Sequence, residues 1–353
     1  MTHTRLGATA LALLFAAACG GDDGQPFFPG ADAGGSVADA GAGAADAASD
    51  GGTADTSAPD ASDPGEMPSP DELELTGACD QAERWGGFRV QAEESYSYVQ
   101  GEVADGVVPG DVLEETLREG GCTLLKRNNP FCDPGCQPGE ACDFTGECVP
   151  YPVPQLLGVV TVEGLVQPVE MTPPEFGGNY FDATLPHPAT VPDETIRLRV
   201  AGDVLPGFTL HGVGVEPIEV AEGTEWFVQE GEDLEVTWAP PTGGAYGQVR
   251  LSLNIDQHGL SPTTMFCVVP DTGTASIPAA VVDGLIGAGV TGFPTGTVER
   301  QTADSTTLEG GCADFVVASS TTVAVDVDGF TPCNLDNPCP EGLECNYVIE
   351  ICE

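Results

Sequence analysis

Eight cysteines stand in two compact clusters that could bind a metal ion or form disulfide bonds. The clusters are Cys132, Cys136, Cys142 and Cys148, and Cys333, Cys339, Cys345 and Cys352. Four thiolates could hold zinc, but neither cluster has the two Cys-x2-Cys pairs that are typical of structural zinc sites. We therefore favour disulfides over zinc. Four cysteines allow three connectivities, and we expect first-to-third and second-to-fourth pairing in each cluster.

Four further cysteines precede the clusters as widely spaced pairs. Cys79 and Cys122 come before the first cluster, and Cys267 and Cys312 come before the second. We expect Cys79 to pair with Cys122, and Cys267 with Cys312. This order, a wide pair and then a cluster, occurs twice, and similar residues precede Cys122 (LREGGC) and Cys312 (LEGGC), which indicates a degenerate internal duplication. The clusters resemble the small cysteine-rich repeats of exported bacterial surface proteins.

Three aspartates near the C-terminus could bind calcium. Asp326 and Asp328 alternate, and Asp336 follows eight residues after the second. Carboxylate oxygens suit calcium, but the downstream glutamate of an EF-hand loop is absent from this stretch. A solvated loop is the favoured interpretation, with structural calcium as the alternative and no other cofactor expected.

The segment CVVPDTGTASIP (267–278) carries the strongest catalytic resemblance. Asp271-Thr272-Gly273-Thr274 resembles the motif of aspartic peptidases, in which two carboxylates share one proton. The sequence has no second such motif. Asp-Thr-Gly is also common in turns, and Pro270 argues against a central strand at this point. We therefore predict a turn.

Other catalytic motifs are absent from the sequence. It contains no Gly-x-Ser-x-Gly, His-Glu-x-x-His, phosphate-binding loop or dinucleotide-binding fingerprint. The four histidines are scattered along the chain. We expect a protein that is not an enzyme and has no catalytic residues.

The N-terminus indicates export and lipid attachment. Residues 1–5 are short and basic, residues 6–18 are apolar, and Ala16-Ala17-Ala18 leads into Cys19. The apolar stretch is too short to span a bilayer as a mature helix. It resembles the lipobox of bacterial lipoproteins, which implies that Cys19 is lipidated and becomes the mature N-terminus. A plain secretory signal is the alternative. Lipidation of Cys19 would leave twelve of the thirteen cysteines, an even number for disulfides.

The next stretch is acidic and of low complexity. Residues 19–77 are rich in Gly, Ala and Asp and contain no lysine or arginine, so we predict a disordered tether. The formal net charge of the chain is −46, with ten lysines and arginines against 56 acidic residues. A field of this sign repels phosphate backbones and excludes nucleic acid as a partner. It is compatible with a salt-adapted surface or with cation binding.

The rest of the chain has the pattern of a β protein. Short runs of alternating apolar and polar residues are separated by Gly and Pro at 86–106, 156–171, 194–202, 233–241, 247–256 and 319–329. Short helical turns are expected at 112–118 and 279–285. Residues 234–241 (LEVTWAPP) resemble the second strand of a fibronectin type III or immunoglobulin-like domain. This resemblance implies an inward Trp238 and a paired strand at 247–256.

Together these features predict an all-β chain of immunoglobulin/fibronectin-like sandwiches, with two small disulfide-rich modules and a disordered N-terminal tether. The expected segments are a signal peptide (1–18), a tether (19–77), a small β region (78–128), a four-cysteine module (129–152), a β-sandwich region (153–330) and a C-terminal module (331–353). The expected role is binding or adhesion, without catalysis, by an outer-membrane lipoprotein that faces the cell surface. The membrane is contacted through the lipid on Cys19, and the other partner is an unknown protein, glycan or surface ligand. An envelope hydrolase and a structural envelope component are the alternatives.

Overall fold

A computed structural model describes residues 67–127, 132–143, 145–244, 246–255 and 263–353. The predicted signal peptide, the lipidated Cys19 and the tether up to residue 66 lie outside these residues. The strands are β1 (Arg84–Ala92), β2 (Ser97–Val103), β3 (Leu113–Glu119), β4 (Cys122–Arg127), β5 (Glu140–Cys142), β6 (Cys148–Pro150), β7 (Val160–Glu163), β8 (Val169–Met171), β9 (Tyr180–Asp182), β10 (Thr195–Val200), β11 (Phe208–Val213), β12 (Glu225–Val228), β13 (Leu234–Thr237), β14 (Gln248–Asn254), β15 (Thr263–Pro270), β16 (Thr274–Ile277), β17 (Thr295–Leu308), β18 (Gly311–Val327), β19 (Cys345–Asn346) and β20 (Ile351–Cys352). The helices are α1 (Ala279–Ala288) and two 3-10 turns, Pro70–Glu72 and Pro109–Asp111. The predicted all-β class is confirmed.

One ten-stranded sheet organises the body, in the order β3-β4-β15-β14-β17-β18-β1-β2-β9, with β12 also paired to β18. Its central strand, β18, is 17 residues long and pairs with β17 from Gly311 to Ala324. On its other side β1 covers the first part of β18 and β12 the last part, both in parallel. The boundary expected near residue 128 does not separate two β regions, because β1–β4 belong to the same sheet as β14, β15, β17 and β18.

Two hydrophobic cores lie on the same face of this sheet. Alternate side chains of a strand share a face, and Phe315 and Val317 of β18 belong to one core while Val323 and Val325 belong to the other. The first core lies between the large sheet and a four-stranded sheet, β11-β10-β7-β8. The second core includes buried side chains of β12, of the β13–β16 pair and of α1. The architecture is thus a sandwich with one shared sheet.

The fibronectin-like segment forms only part of the arrangement expected of it. Trp238 is buried, with 5% of its surface exposed, in the second core. However, β13 pairs with β16, and β14 pairs with β15 and β17. The prediction that 247–256 pairs with this segment was therefore wrong. The helix expected at 279–285 is present as α1, whereas 112–118 is mostly strand β3.

The wide cysteine pairs are exchanged relative to the prediction. The disulfides are Cys79–Cys312 and Cys122–Cys267, so the expected Cys79–Cys122 and Cys267–Cys312 pairs were wrong. Both Gly-Gly-Cys segments form hairpin turns, β3–β4 and β17–β18. Cys122, at the start of β4, bonds to Cys267 on the neighbouring strand β15. Cys312, near the start of β18, bonds to Cys79, which precedes the neighbouring strand β1. In both cases the neighbouring strand comes from the other half of the chain.

The clustered cysteines form two small crosslinked modules. Their pairs are Cys132–Cys142, Cys136–Cys148, Cys333–Cys345 and Cys339–Cys352. These are first-to-third and second-to-fourth pairings, as expected from the sequence. Each module contains a two-stranded sheet, β5–β6 or β19–β20.

The segment 67–77, assigned from sequence to the disordered tether, lies against the body. The Thr195 hydroxyl donates to the Pro68 carbonyl at 2.7 Å. The Thr76 hydroxyl donates to Asp304 at 2.9 Å, and the Gly77 N–H donates to the Ala303 carbonyl at 3.1 Å. For these eleven residues the expectation of disorder was wrong, because the backbone finds partners on β10 and β17.

Candidate functional site

The face of the ten-stranded sheet opposite the two cores carries the candidate site, and we call it the outer face. Strand register fixes its members, since residues directly opposite one another in paired strands share a face. Leu251 and Val298 are buried in the core, so the adjacent residues Arg250 and Glu299 lie on the outer face. Arg250 on β14 and Glu299 on β17 are directly opposite each other. The same argument places Phe266 there, opposite Ser252.

Arg250 lies over an aromatic ring on the neighbouring strand. Its guanidinium carbon is 4.3 Å from the centroid of the Phe266 ring, which is a cation–π contact. The Arg250 side chain keeps 36% of its surface exposed. Within the described chain its guanidinium makes no hydrogen bond, and its nearest charged neighbour is Glu299 Oε1 at 4.0 Å. Burial lowers the pKa of Arg250, as do the charges of Arg89 and Arg84, and Glu299 opposes the shift.

Glu299 lies between two arginines and uses only one of its carboxylate oxygens. Oε2 accepts a hydrogen bond from Arg89 Nη1 at 2.7 Å. Oε1 is buried and has no hydrogen-bond partner among the described residues. Burial acts to lower the pKa of Arg89, but the charge and hydrogen bond of Glu299 outweigh it, and the pKa is raised. A buried carboxylate oxygen without a hydrogen bond is costly, and Arg250 Nη1, at 4.0 Å, supplies an ion-pair partner for it.

A hydrogen-bonded track continues from Arg89 across the centre of the outer face. Arg89 Nη1 also donates to Gln91 Oε1 at 2.8 Å, and Gln91 Nε2 donates to the Ser320 hydroxyl at 2.8 Å. The Ser320 hydroxyl donates to Glu93 Oε2 at 2.8 Å. Since each polar group restrains the next one, these side chains are held in place before any ligand arrives.

A groove lies beside Phe266, towards the β3 edge of the sheet. Its volume is about 480 Å³. The lining residues include Asp80, Gln81, Glu115, Arg118, Thr123, Phe266 and Val268, and Arg118 is ion-paired with Glu115. The walls thus offer an apolar floor with hydroxyl, amide, carboxylate and guanidinium groups around it, and Phe266 joins the groove to Arg250.

An aromatic group lies near the opposite edge of the sheet. The rings of Tyr96 and Tyr98 stack with centroids 5.9 Å apart, and Phe181 lies 6.1 Å from Tyr98. Tyr96 and Phe181 are 54% and 61% exposed. Exposed aromatic side chains are common in contact surfaces because they bury a large area at low entropic cost.

Two carboxylates near β2 have raised pKa values. Burial raises the pKa of Glu102 above its usual 4.5, and the charge of Asp111 raises it further. Burial also raises the pKa of Asp111 above 3.8, although Arg84 and Arg127 oppose the shift.

Asp271, the residue of the peptidase-like motif, lies in a turn, as the sequence indicated. The turn joins β15 to β16, and Asp271 forms a buried ion pair with Arg300. Its Oδ1 also accepts a hydrogen bond from Trp238 Nε1 at 2.7 Å. Both carboxylate oxygens are therefore engaged by neighbouring side chains, and this arrangement is that of a structural group.

The calcium candidates are not brought together. Asp326 is near the end of β18, Asp328 follows that strand, and Asp336 lies in the C-terminal module. In the described ranges, the groups of three or more potential ligands within 4.8 Å of one another consist of cysteines only, Cys132, Cys136 and Cys142 or Cys333, Cys339 and Cys352. All of these cysteines are in disulfides, so the zinc alternative does not fit the donor set.

The sequence analysis missed Arg250, Phe266, Glu299 and Arg89. Alternation within 247–256 would have placed Arg250 on the polar side of its strand. Its neighbours come from 16 and 49 residues further along the chain, so their proximity depends on strand pairing.

No helix in the described ranges is long and apolar enough to span a membrane.

No protein-family model matches the chain, and no curated protein matches it. Among solved structures, the chain is similar to the FN1–FN3 domains of chicken CNTN1, at 10% sequence identity and a TM-score of 0.16. The match covers 65% of this chain and 71% of that one.

Proposed function

We propose that this protein is a lipid-anchored binding or adhesion protein of the bacterial cell envelope, held in the outer membrane through Cys19 and facing outwards, and that it is not an enzyme. The lipobox-like sequence and the even number of remaining cysteines support the anchor and the export. Six disulfides among the described residues support an oxidising compartment.

The observation that carries the binding role is the pair Arg250 and Glu299 on the outer face. Among the described residues the Arg250 guanidinium makes no hydrogen bond, and it faces the buried Glu299 Oε1 at 4.0 Å as a loose ion pair. The Arg250 side chain is 36% exposed, so its guanidinium donors are open to a ligand, whereas Glu299 Oε1 is buried beside it. In contrast, Asp271, the residue with the strongest catalytic resemblance, is fully engaged by Arg300 and Trp238.

The location is tested by protease treatment of intact cells that make the full chain, with an antibody against residues 67–353. Release of an intact body would support an outward-facing, tethered protein. Protection until the outer membrane is opened would contradict the surface location and favour a periplasmic structural or enzymatic role. A Cys19→Ser variant is the control for the anchor, and the protein should then leave the membrane fraction without protease.

The binding role is tested separately by attachment. Cells that lack the protein should adhere less to their natural surface or to one another. Complementation with the wild-type chain should restore adhesion, and Cys19→Ser should not. Unchanged adhesion after deletion would contradict the adhesion role.

A further inference from the structure

We propose that an apolar patch at one end of the first core rests on the surface of a zwitterionic lipid bilayer, so that the folded body lies against the membrane. This inference rests on the proposed lipid anchor at Cys19 and adds a second membrane contact, made by the body itself. We call this surface the loop patch, and its members are Val153, Leu156, Val159, Phe176 and Val204.

Three loops carry the loop patch, and all of them lie at one end of the four-stranded sheet. Segment 151–159 leads into β7, segment 172–179 joins β8 to β9, and segment 201–207 joins β10 to β11. Since β7 is antiparallel to both β8 and β10, the start of β7 lies beside the ends of the other two strands. The strand order therefore brings the three loops together.

Direct contacts join these loops into one surface. The Val204 N–H donates a hydrogen bond to the Leu156 carbonyl at 3.3 Å. Gly178 lies so close to Pro154 that a Cβ atom on the glycine would be 2.7 Å from the proline side chain. Segments 172–179 and 201–207 thus both contact segment 151–159.

The side chains of the loop patch are large and apolar, yet they are exposed. Phe176 keeps 85% of its surface exposed and Val204 keeps 63%, and the other three members are also exposed. Contiguous exposed apolar residues mark contact sites for proteins, ligands or membranes. The loop patch is therefore a contact surface that lacks its partner among the described residues.

The loops are poor in charge although the chain has a formal net charge of −46. Segment 151–159 has no charged residue, and the other two loops have one carboxylate each, Glu175 and Asp203. Asp105 lies at the border, where its Oδ1 accepts the Val153 N–H at 2.8 Å. These carboxylates and the net charge repel an anionic surface and a second copy of this acidic chain. A surface without net charge is the one that fits.

The shape of the loop patch favours lipid over a folded protein of low charge. Its members stand on loop ends, and the Phe176 ring projects almost fully from the body. A protein interface needs a complementary surface packed around such a side chain, whereas the boundary of a bilayer accepts a projecting apolar side chain without one. Binding to the bilayer then scales with the apolar area that enters it.

The chain ahead of the body is long enough for this contact. Met67, the first described residue, follows Cys19 by 48 positions, which span up to about 160 Å when extended. The body begins beside Thr195, at the start of β10, and the loop patch lies at the other end of that strand, about 17 Å away. A tether raises the effective concentration of a second, weak contact to about the millimolar range.

The test measures whether the loop patch reaches the acyl chains of a bilayer. The mature chain with Cys19→Ser and an N-terminal histidine tag is bound to phosphatidylcholine vesicles that contain a nickel-chelating lipid. Phe176→Trp adds a fluorescent ring to the loop patch. Leu335→Trp, at an apolar residue of the C-terminal module that is 86% exposed, is the matched control. Brominated acyl chains quench a tryptophan that enters the bilayer, and the chain without either substitution gives the background of the native tryptophans.

We expect the emission added by Phe176→Trp to be quenched about threefold more, or better, than that added by Leu335→Trp, because only the former enters the apolar boundary. Val204→Asp in the Phe176→Trp chain should reduce the quenching, since a charge resists transfer out of water. Replacing part of the phosphatidylcholine by anionic phosphatidylglycerol should reduce it too. Equal melting temperatures show that each variant is folded.

Equal quenching of Phe176→Trp and Leu335→Trp, or quenching of neither, would overturn the proposal. So would a dimer of the Cys19→Ser chain in sedimentation that Val204→Asp dissociates, because a second copy would then cover the loop patch. The histidine tag replaces the lipid, so the result does not depend on lipidation in cells. Loss of the anchor is measured separately by membrane fractionation, and unquenched tagged protein would overturn this inference alone.

Discussion

Asp271 and Arg300 form an ion pair whose side chains keep only 2% and 3% of their surface exposed. Arg300 also donates hydrogen bonds to the carbonyls of Glu216, Pro217 and Ala239 at 3.1, 3.2 and 2.7 Å. The pair therefore holds the turn after β15 against two other loops. A guanidinium with all of its donors used is the arrangement in which a buried charge is tolerated.

Substitution of Asp271 by Ala should destabilise the fold strongly. It leaves the Arg300 charge buried without its partner, which typically costs about 3–5 kcal/mol. Urea denaturation followed by tryptophan fluorescence measures the loss. The control is Glu222→Ala, a change at an exposed acidic residue. An Asp271→Ala midpoint equal to that of the control would contradict the structural role.

The long-range disulfides should contribute more stability than those of the modules. In the chain-entropy treatment, the Cys122–Cys267 crosslink, with a separation of 145 residues, is worth about 5 kcal/mol, and Cys333–Cys345, with a separation of 12, about 3 kcal/mol. The double variant Cys122→Ser/Cys267→Ser should therefore unfold at lower urea concentration than Cys333→Ser/Cys345→Ser. The opposite order would show that these loops do not set the denatured-state entropy.

The raised pKa values of Glu102 and Asp111 predict a pH effect on stability. An acid with a raised pKa in the folded state binds its proton more readily folded than unfolded, so its contribution to stability falls as the pH rises through that pKa. Glu102→Gln should raise the melting temperature at pH 7, and the difference from wild type should shrink as the pH is lowered towards 4. Melting curves at pH 7, 5 and 4 measure this, with Glu222→Gln as the control. A difference that does not change with pH would contradict the assignment.

Proteolysis of the folded full chain should cut before residue 67 and spare 67–77. The hydrogen bonds of Pro68, Thr76 and Gly77 hold this segment, and a protease needs an extended, accessible chain. Mass spectrometry of the released body gives its first residue. Cleavage within 67–77 should occur in urea, which serves as the control, and in Thr76→Ala more readily than in wild type. Equally fast cleavage there in the native wild type would show that the contacts do not protect the segment.

Local features were predictable from the sequence, and pairings between distant segments were not. The alternation in 247–256 and 319–329 gave strands, and the tight spacing of each cysteine cluster restricted its disulfides to near neighbours. The partners of Cys79 and Cys122 depended on which strands became neighbours, and β15 and β18 lie far away in sequence. For the same reason the contact of Asp271 with Arg300 and that of Phe266 with Arg250 could not be predicted from the sequence. The contacts among the candidate-site residues of the outer face are of this second kind.

The exchanged disulfides also determine how the body would bear tension. A pull on the chain ahead of Cys79 passes through the Cys79–Cys312 bond directly into the central strand β18, as well as along the backbone into β1. Arg250 lies inside the covalent loop closed by Cys122 and Cys267. Segments 79–122 and 267–312 and the two disulfides therefore form a closed covalent ring. Force between the chain ahead of Cys79 and a ligand held at Arg250 is shared by these two segments. Neither route can be extended to its full length without stretching the other, so the two disulfides limit how far tension can lengthen the chain between Cys79 and Cys267.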